Sequence, residues 1–440
     1  MKIFLISIFL LFISHCSFDN KTGIWKNKDE VINKKKDEYK GFNKLYTEEK
    51  LFNQIIAPDN SLKILLDPVK LSKKWLDEFY RETNNSDNFS YKELNEKIFN
   101  SKKLSKYKIK DKILFDGENF LITDIKGSLI VYSTKYQKII FKYNFYKNKF
   151  KKLEKILSIA VKENVVYIAD NLGYIYAISY LEQKLLWAKN YKIPFRSNVK
   201  IFKDKVIVAD TDNTLYFLDK FNGNKIKSIP TEEISIKNQF INSIAVKNDA
   251  LFYLNTFGSI YSINVLGRIN WFLNINQHSE IDTNNLFNSK PLIAYKDKLI
   301  VSSEKYLYIF NSSNGSRLVK IPVSSIVKPL VSNKSIFLVT KNNLLVCINI
   351  DNGKINYSLD IPEEVANFLD TKKKTLYIKT LSMLNNNLYL FLDNSYYIKF
   401  SSKGKIAEVK KLPAKFGSFP IFVKNVIMFV NKDKKLVVVN

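Results

Sequence analysis

Residues 173–188, GYIYAISYLEQKLLWA, and their near copy at 258–271, GSIYSINVLGRINW, decide the fold. Each opens on a glycine, runs through a β-rich stretch, turns, and closes on a strand that ends in tryptophan. Glycine or asparagine ahead of such a run marks a turn, because both tolerate positive φ. The run recurs behind Gly127, Gly173, Asn213, Gly258, Lys305, Asn343, Asn394 and Lys434, at spacings of 46, 40, 45, 47, 38, 51 and 40 residues. The mean, (434 − 127)/7, is about 44 residues. Eight anchors imply eight units.

Each unit has one internal plan. Ahead of the anchor stands another β-rich run, as at 165–170 (VVYIAD), 205–210 (KVIVAD) and 251–254 (LFYL). A further short strand lies upstream, as at 158–161 (SIAV) and 244–246 (IAV). Behind it come hairpin turns such as Phe221-Asn222-Gly223-Asn224 and Asp351-Asn352-Gly353-Lys354, and then a fourth strand. Asn-Gly is a favoured pair for tight hairpins. Four short strands every ~40–45 residues make a β-propeller blade. The third strands are almost continuously apolar, as expected of a blade packed between two neighbours. The β-branched and aromatic content excludes a helical solenoid, and the period is too long for a β-helix. The expected fold is therefore all-β, an eight-bladed β-propeller of four-stranded antiparallel blades over residues 94–440.

The eighth unit ends at Asn440, directly after its third strand. An open ring would expose strand edges, an aggregation liability. Residues 96–103, containing Lys97-Ile98-Phe99, precede the first strand of the first unit and are expected to complete the last blade and close the ring.

The N-terminus reads MKIFLISIFLLFISHC. Lys2 followed by an apolar run over residues 3–13 is a signal-peptide pattern, too short for a membrane span. Ile13-Ser14-His15-Cys16 resembles the lipobox of bacterial lipoproteins, in which the cysteine is lipidated and the peptide is cut just before it. Residues 1–15 are thus expected to be a signal peptide and Cys16 a lipidation site. Ser17 after the cysteine matches the sorting pattern for the outer membrane, with the body on the periplasmic face. Residues 16–50, rich in Lys, Asn, Asp and Glu, read as a flexible tether. Residues 51–93 are more apolar and are expected to pack on the propeller. Leu71, Trp75 and Phe79 at i, i+4, i+8 permit a short helix there.

Composition narrows the function. The charge is 70 − 42 = +28, but arginine occurs only at Arg81, Arg196, Arg268 and Arg317. Bidentate recognition of bases and phosphates favours arginine. Lysine is abundant together with Asn, Ile, Phe and Tyr, which points to a coding bias and a solvated lysine surface. No nucleic-acid partner is expected. With two cysteines and two histidines in the whole chain, no zinc site of the usual kind can be built. His278 lies in a polar loop, and Cys347 lies in an apolar strand where a buried, inert thiol is expected. Asp210-Thr211-Asp212 reads as a turn, and Glu232-Glu233 and Glu363-Glu364 as solvated loops.

The units resemble PQQ-type repeats, which carry a glycine before the third strand and Gly-Lys-x-x-Trp at the blade's end. Trp187 and Trp271 match; elsewhere Phe141, Ser228, Lys320, Tyr357 and Glu408 stand at that position. The repeats, export signal, lipobox-like cysteine and tether together resemble the BamB family, lipoprotein scaffolds of the machinery that inserts β-barrels into the bacterial outer membrane. This resemblance implies a non-enzymatic protein that docks on the POTRA domains of the barrel-inserting subunit BamA. It also implies contact with other subunits of that complex and with nascent outer membrane proteins. In the family, loops between adjacent blades make the contact. Ile193-Pro194-Phe195-Arg196 occupies the place of the first loop. Gln239-Phe240-Ile241-Asn242 occupies the second, without the acidic residues usual there. The implied partner-binding residues are Ile193, Phe195, Arg196, Gln239 and Asn242.

Two other classes share the fold. A general periplasmic binding propeller would capture peptide or a cell-wall component. A PQQ-dependent dehydrogenase would stack its quinone on a tryptophan, often beside adjacent cysteines, with calcium nearby. This sequence has no cysteine pair and no cluster with calcium-loop spacing, and no cofactor or metal is expected.

Overall fold

A computed structural model describes residues 51–146, 150, 152–233, 240–276 and 286–440, together with the backbone of two strands in the first fifty residues. The chain divides into two units, Met1–Lys50 and Leu51–Asn440. In the first unit Cys16–Phe18 pairs antiparallel with Trp25–Asn27, in a region where the sequence shows no strand period. Three-residue strands are too short to display one. The signal peptide lies outside the described residues.

The second unit is a ring of eight antiparallel sheets, an eight-bladed β-propeller. Blade 1 comprises Ile109–Phe115, Asn119–Asp124, Ser128–Ser133 and Lys138–Asn144, from the axis outward. Blades 2 to 7 repeat that order, beginning at Leu157, Lys200, Ser243, Ile293, Leu330 and Ile378. Blade 8 consists of Ile421–Val423, Val426–Val430 and Lys435–Val439, with Lys97–Lys103 as its outer strand. Second and third strands are buried along their length, as in Asn119–Asp124 and Ser128–Ser133, and fourth strands are largely exposed.

Several local features recur from blade to blade. Six anchors (Gly127, Gly173, Asn213, Gly258, Asn343 and Lys434) have left-handed backbones. In blade 7 the left-handed residue is Ser395, one place later than the expected Asn394. The second strand commonly ends on a side chain that caps the turn before the anchor. Asp170 Oδ1 accepts from the amides of Leu172 and Tyr174, and Asp210 Oδ1 from those of Asp212 and Thr214. Asn255 Oδ1 does the same for Phe257 and Ser259. Asp210-Thr211-Asp212 is therefore a turn, as its sequence suggests. In blades 1 to 7 the pairing of third and fourth strands is interrupted by one bulge, as between Ala177 and Ile178. Bulges increase twist.

The residue opposite that bulge locks one blade to the next. Trp187 lies over Gly223 and donates from Nε1 to Lys220 O at 3.0 Å. Trp271 lies over Gly315 and donates to Ser312 O at 3.2 Å. A Cβ on either glycine would come within 2.5 or 2.6 Å of the indole, and both have positive φ. The register assigns Lys227 and Val319 to this position, not Ser228 and Lys320. The bulge and the longer preceding turns displace the count by one.

Blade 6 is followed by a helix, Ile361–Leu369, which absorbs the longest spacing in the repeat. Asp360 caps it by accepting from Glu363 N at 3.0 Å, and Glu363 and Glu364 occupy its first turn. Those two acids are helical rather than part of a loop.

Residues 51–93 contain no helix. They enter between blades 5 and 6, where Phe52 N donates to Pro322 O. They leave as an extra strand, Asn88–Phe89, parallel to the first strand of blade 7. Between these points residues 75–89 fill the ring's axis and touch every blade. Trp75 bridges Phe115, and Asp77 bridges Ala160. Val246 N donates to Glu82 O and Ala294 N to Thr83 O. Asn84 Nδ2 donates to Ile244 O and Leu292 O, and Asn85 Nδ2 to Val331 O. Phe89 stacks on Phe422 of blade 8. The spacing of Leu71, Trp75 and Phe79 therefore marks no helix face: Trp75 is buried, whereas Leu71 is 54% exposed.

One ion pair fixes this plug. Lys200 of blade 3 is completely buried and lies 2.7 Å from Asp77; it also donates to Arg81 O. Burial opposes both charges, raising the Asp77 carboxyl and lowering the Lys200 ammonium, so each needs the other. Lys200→Met is expected to destabilise the fold by roughly 3–5 kcal/mol in urea titrations, by stranding Asp77. Adding Asp77→Leu should restore most of the loss. Beside the pair, burial raises Glu78 from 4.5 to about 7. Between those pH values the folded chain holds a proton that the unfolded chain has released, so stability falls as pH rises. Glu78→Gln should flatten that slope in urea midpoints measured across the window.

Candidate functional site

In each blade the loop after the second strand and the loop leaving the fourth strand lie at the same end of the ring. Between blades 2 and 4 these loops are tied into one surface. The segment from Tyr191 to Val199 leaves blade 2 and enters blade 3 beside the turn at 210–214. Arg196 N donates to Ala209 O at 2.9 Å, and Thr211 N to Pro194 O at 2.9 Å. The next loop joins through Asn242 N, which donates to Arg196 O at 3.0 Å. The turn of blade 4 joins through Thr256 N, which donates to Asn242 Oδ1 at 3.1 Å.

The residues singled out by sequence divide between surface and interior. Ile193 and Arg196 are half-buried and reach the surface. Phe195 is buried between blades 2 and 3, with its ring 5.9 Å from both Tyr191 and Tyr216. Asn242 is completely buried, and its Nδ2 donates to Asp210 O at 2.9 Å. Both act inside the loop assembly rather than on its face. Gln239 lies outside the described residues, as does His278, and Cys16 is described by its backbone alone.

Arg196 Nη2 donates to Thr211 O at 3.2 Å. Burial holds its guanidinium below its ordinary value, while Asp210 and Asp212 counteract the shift. The charge thus sits at the edge of a nearly closed loop cluster. In the two loops bonded to this segment through Asn242, Ile241 is 62% exposed and Phe257 is 37% exposed. Two apolar side chains and a half-buried arginine on one bonded loop cluster make a surface suited to protein contact, where arginine and aromatic anchors dominate.

Glu232, read from sequence as a solvated loop residue, is bound to blade 4. Its Oε2 accepts from Asn255 Nδ2 at 2.8 Å and Tyr261 OH at 2.9 Å, and its Oε1 from Ser259 Oγ at 2.5 Å. Glu233 beside it is exposed. Ile241 and Phe257 were not singled out by sequence. Their signal is an apolar residue within a turn, next to a polar residue that bonds inward.

Residues 146–358 match the family model described as outer membrane protein assembly factor BamB, bearing out the resemblance read from the repeats. The matched span covers blades 2 to 6 and both loops. No curated protein matches the sequence. Among solved structures, BamB from Moraxella catarrhalis is 13% identical with a TM-score of 0.61, covering 78% of this chain and 99% of that one. A europium-containing methanol dehydrogenase is 10% identical with a TM-score of 0.61, covering 83% and 89%. The quinohemoprotein alcohol dehydrogenase from Comamonas testosteroni is 9% identical with a TM-score of 0.60, covering 83% and 80%. At such identities the structural likeness establishes the propeller alone.

Asn242→Ala tests whether the loops form one unit. It strands Thr256 N in the interior and leaves Asp210 O with Asn213 N alone, and a loss of roughly 1–3 kcal/mol is expected from denaturant unfolding. Ile241→Ser, on the exposed side of the same loop, should shift stability by less than about 0.5 kcal/mol.

Proposed function

We propose that this chain is a non-catalytic scaffold lipoprotein, anchored through Cys16 to the periplasmic face of the outer membrane. It docks on the POTRA domains of a BamA-like barrel-inserting protein, assists insertion of outer membrane proteins, and works beside the other subunits of that complex. The observation that carries this reading is the match over residues 146–358, which contains the surface formed by Ile193, Arg196, Ile241 and Phe257. That surface is held in place by backbone bonds between loops before any partner arrives, which reduces the ordering cost of binding. In this reading Phe195 and Asn242 support the surface from within, and residues 16–50 tether the body to the lipid.

The chemistry of the interior supports a scaffold over a quinone enzyme. Residues 75–89 already occupy the axis. Trp187 and Trp271 are spent on locks between blades. Trp75 packs tightly against Tyr80 and Phe89. Among the described residues no group of three His, Cys, Asp or Glu side chains is placed to hold a metal. Cys347 has no partner cysteine among them, and burial pushes its thiol up to about 12. These residues do not fit a quinone with its calcium ion.

The test is co-purification from gently solubilised membranes. The tag belongs in the turn at Tyr136, which is 63% exposed, because Asn440 is bonded into the ring at Glu96 O. A POTRA-containing barrel protein should elute with the wild type. Recovery should fall at least tenfold with Arg196→Glu and with Ile241→Asp, while both variants keep wild-type thermal midpoints within a few degrees. Elution without such a partner, or with bound quinone and calcium, would overturn the scaffold reading. Undiminished recovery in both variants would remove this surface from the docking site.

A further inference from the structure

We propose that the outer edge of blade 8 is a second interaction surface that binds an anionic phospholipid bilayer. Residues 90–108 and 413–440, which build this blade and its connections, contain eleven lysines, three acids (Glu93, Glu96 and Asp433) and no arginine, a side-chain charge of 11 − 3 = +8. Blade 1, residues 109–146, has six lysines and four acids, a charge of +2. A lysine-favouring coding bias acts along the whole chain. It does not account for the unevenness: blade 7, residues 371–412, has nine lysines and two acids, whereas residues 322–370 have four lysines and five acids, so the positive charge gathers on blade 8 and its neighbour.

The positions of these lysines matter as much as their number. Lys102, Lys103, Lys106, Lys108, Lys415 and Lys432 are all exposed. They lie on the outer strand, on the connection that follows it, and on the loops at the same end of the blade. Lys103 pairs directly with Lys435 across the last two strands. Like charges opposite one another destabilise a sheet, so this arrangement asks for an anionic counterpart. Beside lysines stand two exposed apolar side chains: Ile98, next to Lys97, at 53%, and Tyr107, between Lys106 and Lys108, at 47%. A notch of about 260 Å³ opens on the same blade, lined by Lys97, Lys415, Lys432 and Lys435 together with Asp433.

Lysine without arginine, on a convex strand edge, gives point charges rather than the forked geometry that recognises individual carboxylates or phosphates. Apolar and tyrosine side chains between such charges suit the boundary between headgroups and acyl chains. This combination favours a bilayer over an acidic protein. The place where the body begins agrees with this. Phe52 N donates to Pro322 O and Asn342 Nδ2 to Asn53 Oδ1, so residue 51 enters at the same end of the ring. The proposal needs neither lipidation nor the docking reading.

Vesicle sedimentation tests it, using residues 17–440 so that neither an acyl chain nor the apolar run at 3–13 contributes. The probes are vesicles of phosphatidylcholine alone and of phosphatidylcholine with phosphatidylglycerol. Binding should be confined to the anionic vesicles and should disappear as salt approaches ~1 M. Replacing Lys102, Lys103, Lys106 and Lys108 with Gln should weaken it several-hundred-fold, at about fivefold per charge. Ile98→Asp should weaken it separately. Replacing the exposed Lys184, Lys203, Lys225 and Lys403 should leave it within a few-fold of wild type. Arg196→Glu should not alter it, which separates failure here from failure of the docking reading. Equal binding to both vesicle types, or anionic binding that survives the first four substitutions, would overturn the proposal. Capture of poly-glutamate as tightly as anionic vesicles would assign the edge to an acidic protein and overturn it as well.

Discussion

Eight blades arranged in a ring leave a channel along the axis, and this structure depends on filling it. The first strands around the channel are short and carry buried backbone groups that need partners. Residues 75–89 supply them. The Lys200–Asp77 pair pins the segment at its deepest point, where neither charge has water to turn to. The chain then leaves the axis through Asn88–Phe89 and becomes the outer strand of blade 8 at Lys97. Filling the axis and closing the ring are thus performed by one continuous stretch. A defect at either step exposes both a channel and a strand edge.

The rim is held by a different device. Blades are wedges, and the outer gap between them is widest where fourth strands are exposed. Trp187 and Trp271 close two of these gaps by lying over a turn of the next blade and donating to its backbone. Side chains such as Asp170 and Asp210 fix the turns at the opposite end of the ring. Rigid turns at that end let adjacent loops bond to one another, as Arg196 and Asn242 do, and they produce a surface whose shape is set before binding.

The legible part of the fold was its repeat. Third strands buried on both faces must be apolar throughout, and the turn before them must tolerate positive φ, so Gly173 and Gly258 announce themselves. Less legible were features set by contacts far along the chain. Trp75 meets Phe115 and Phe422, and no local period separates that from a helix face. Ser228 and Lys320 look like the closing position until the bulge assigns Lys227 and Val319 to it. Asp360 and Glu363 spell a helix cap, but a strand pattern led up to them. In the candidate site the sequence marked Ile193 to Arg196 and Asn242 but did not show which of these side chains point outward. Phe195 and Asn242 point inward, and Ile241 and Phe257 carry the exposed face instead.

These directions follow from how a propeller divides its surface. The loops at one end let residues from blades 2, 3 and 4 meet without interrupting a sheet. Contacts that need shape, such as those of a half-buried arginine in a bonded loop cluster, belong there. The outer strands are convex and one residue deep, so they can present charge and scattered apolar groups but cannot enclose anything. The chain places Arg196 in the first kind of surface and the lysines of blade 8 on the second. Residue 51 enters at the end of the ring that carries both. On the two proposals above, a body joined to its leading segment at that end brings the loop surface and the basic edge to neighbouring targets together. The opposite end carries the hairpin turns that the tryptophans cover.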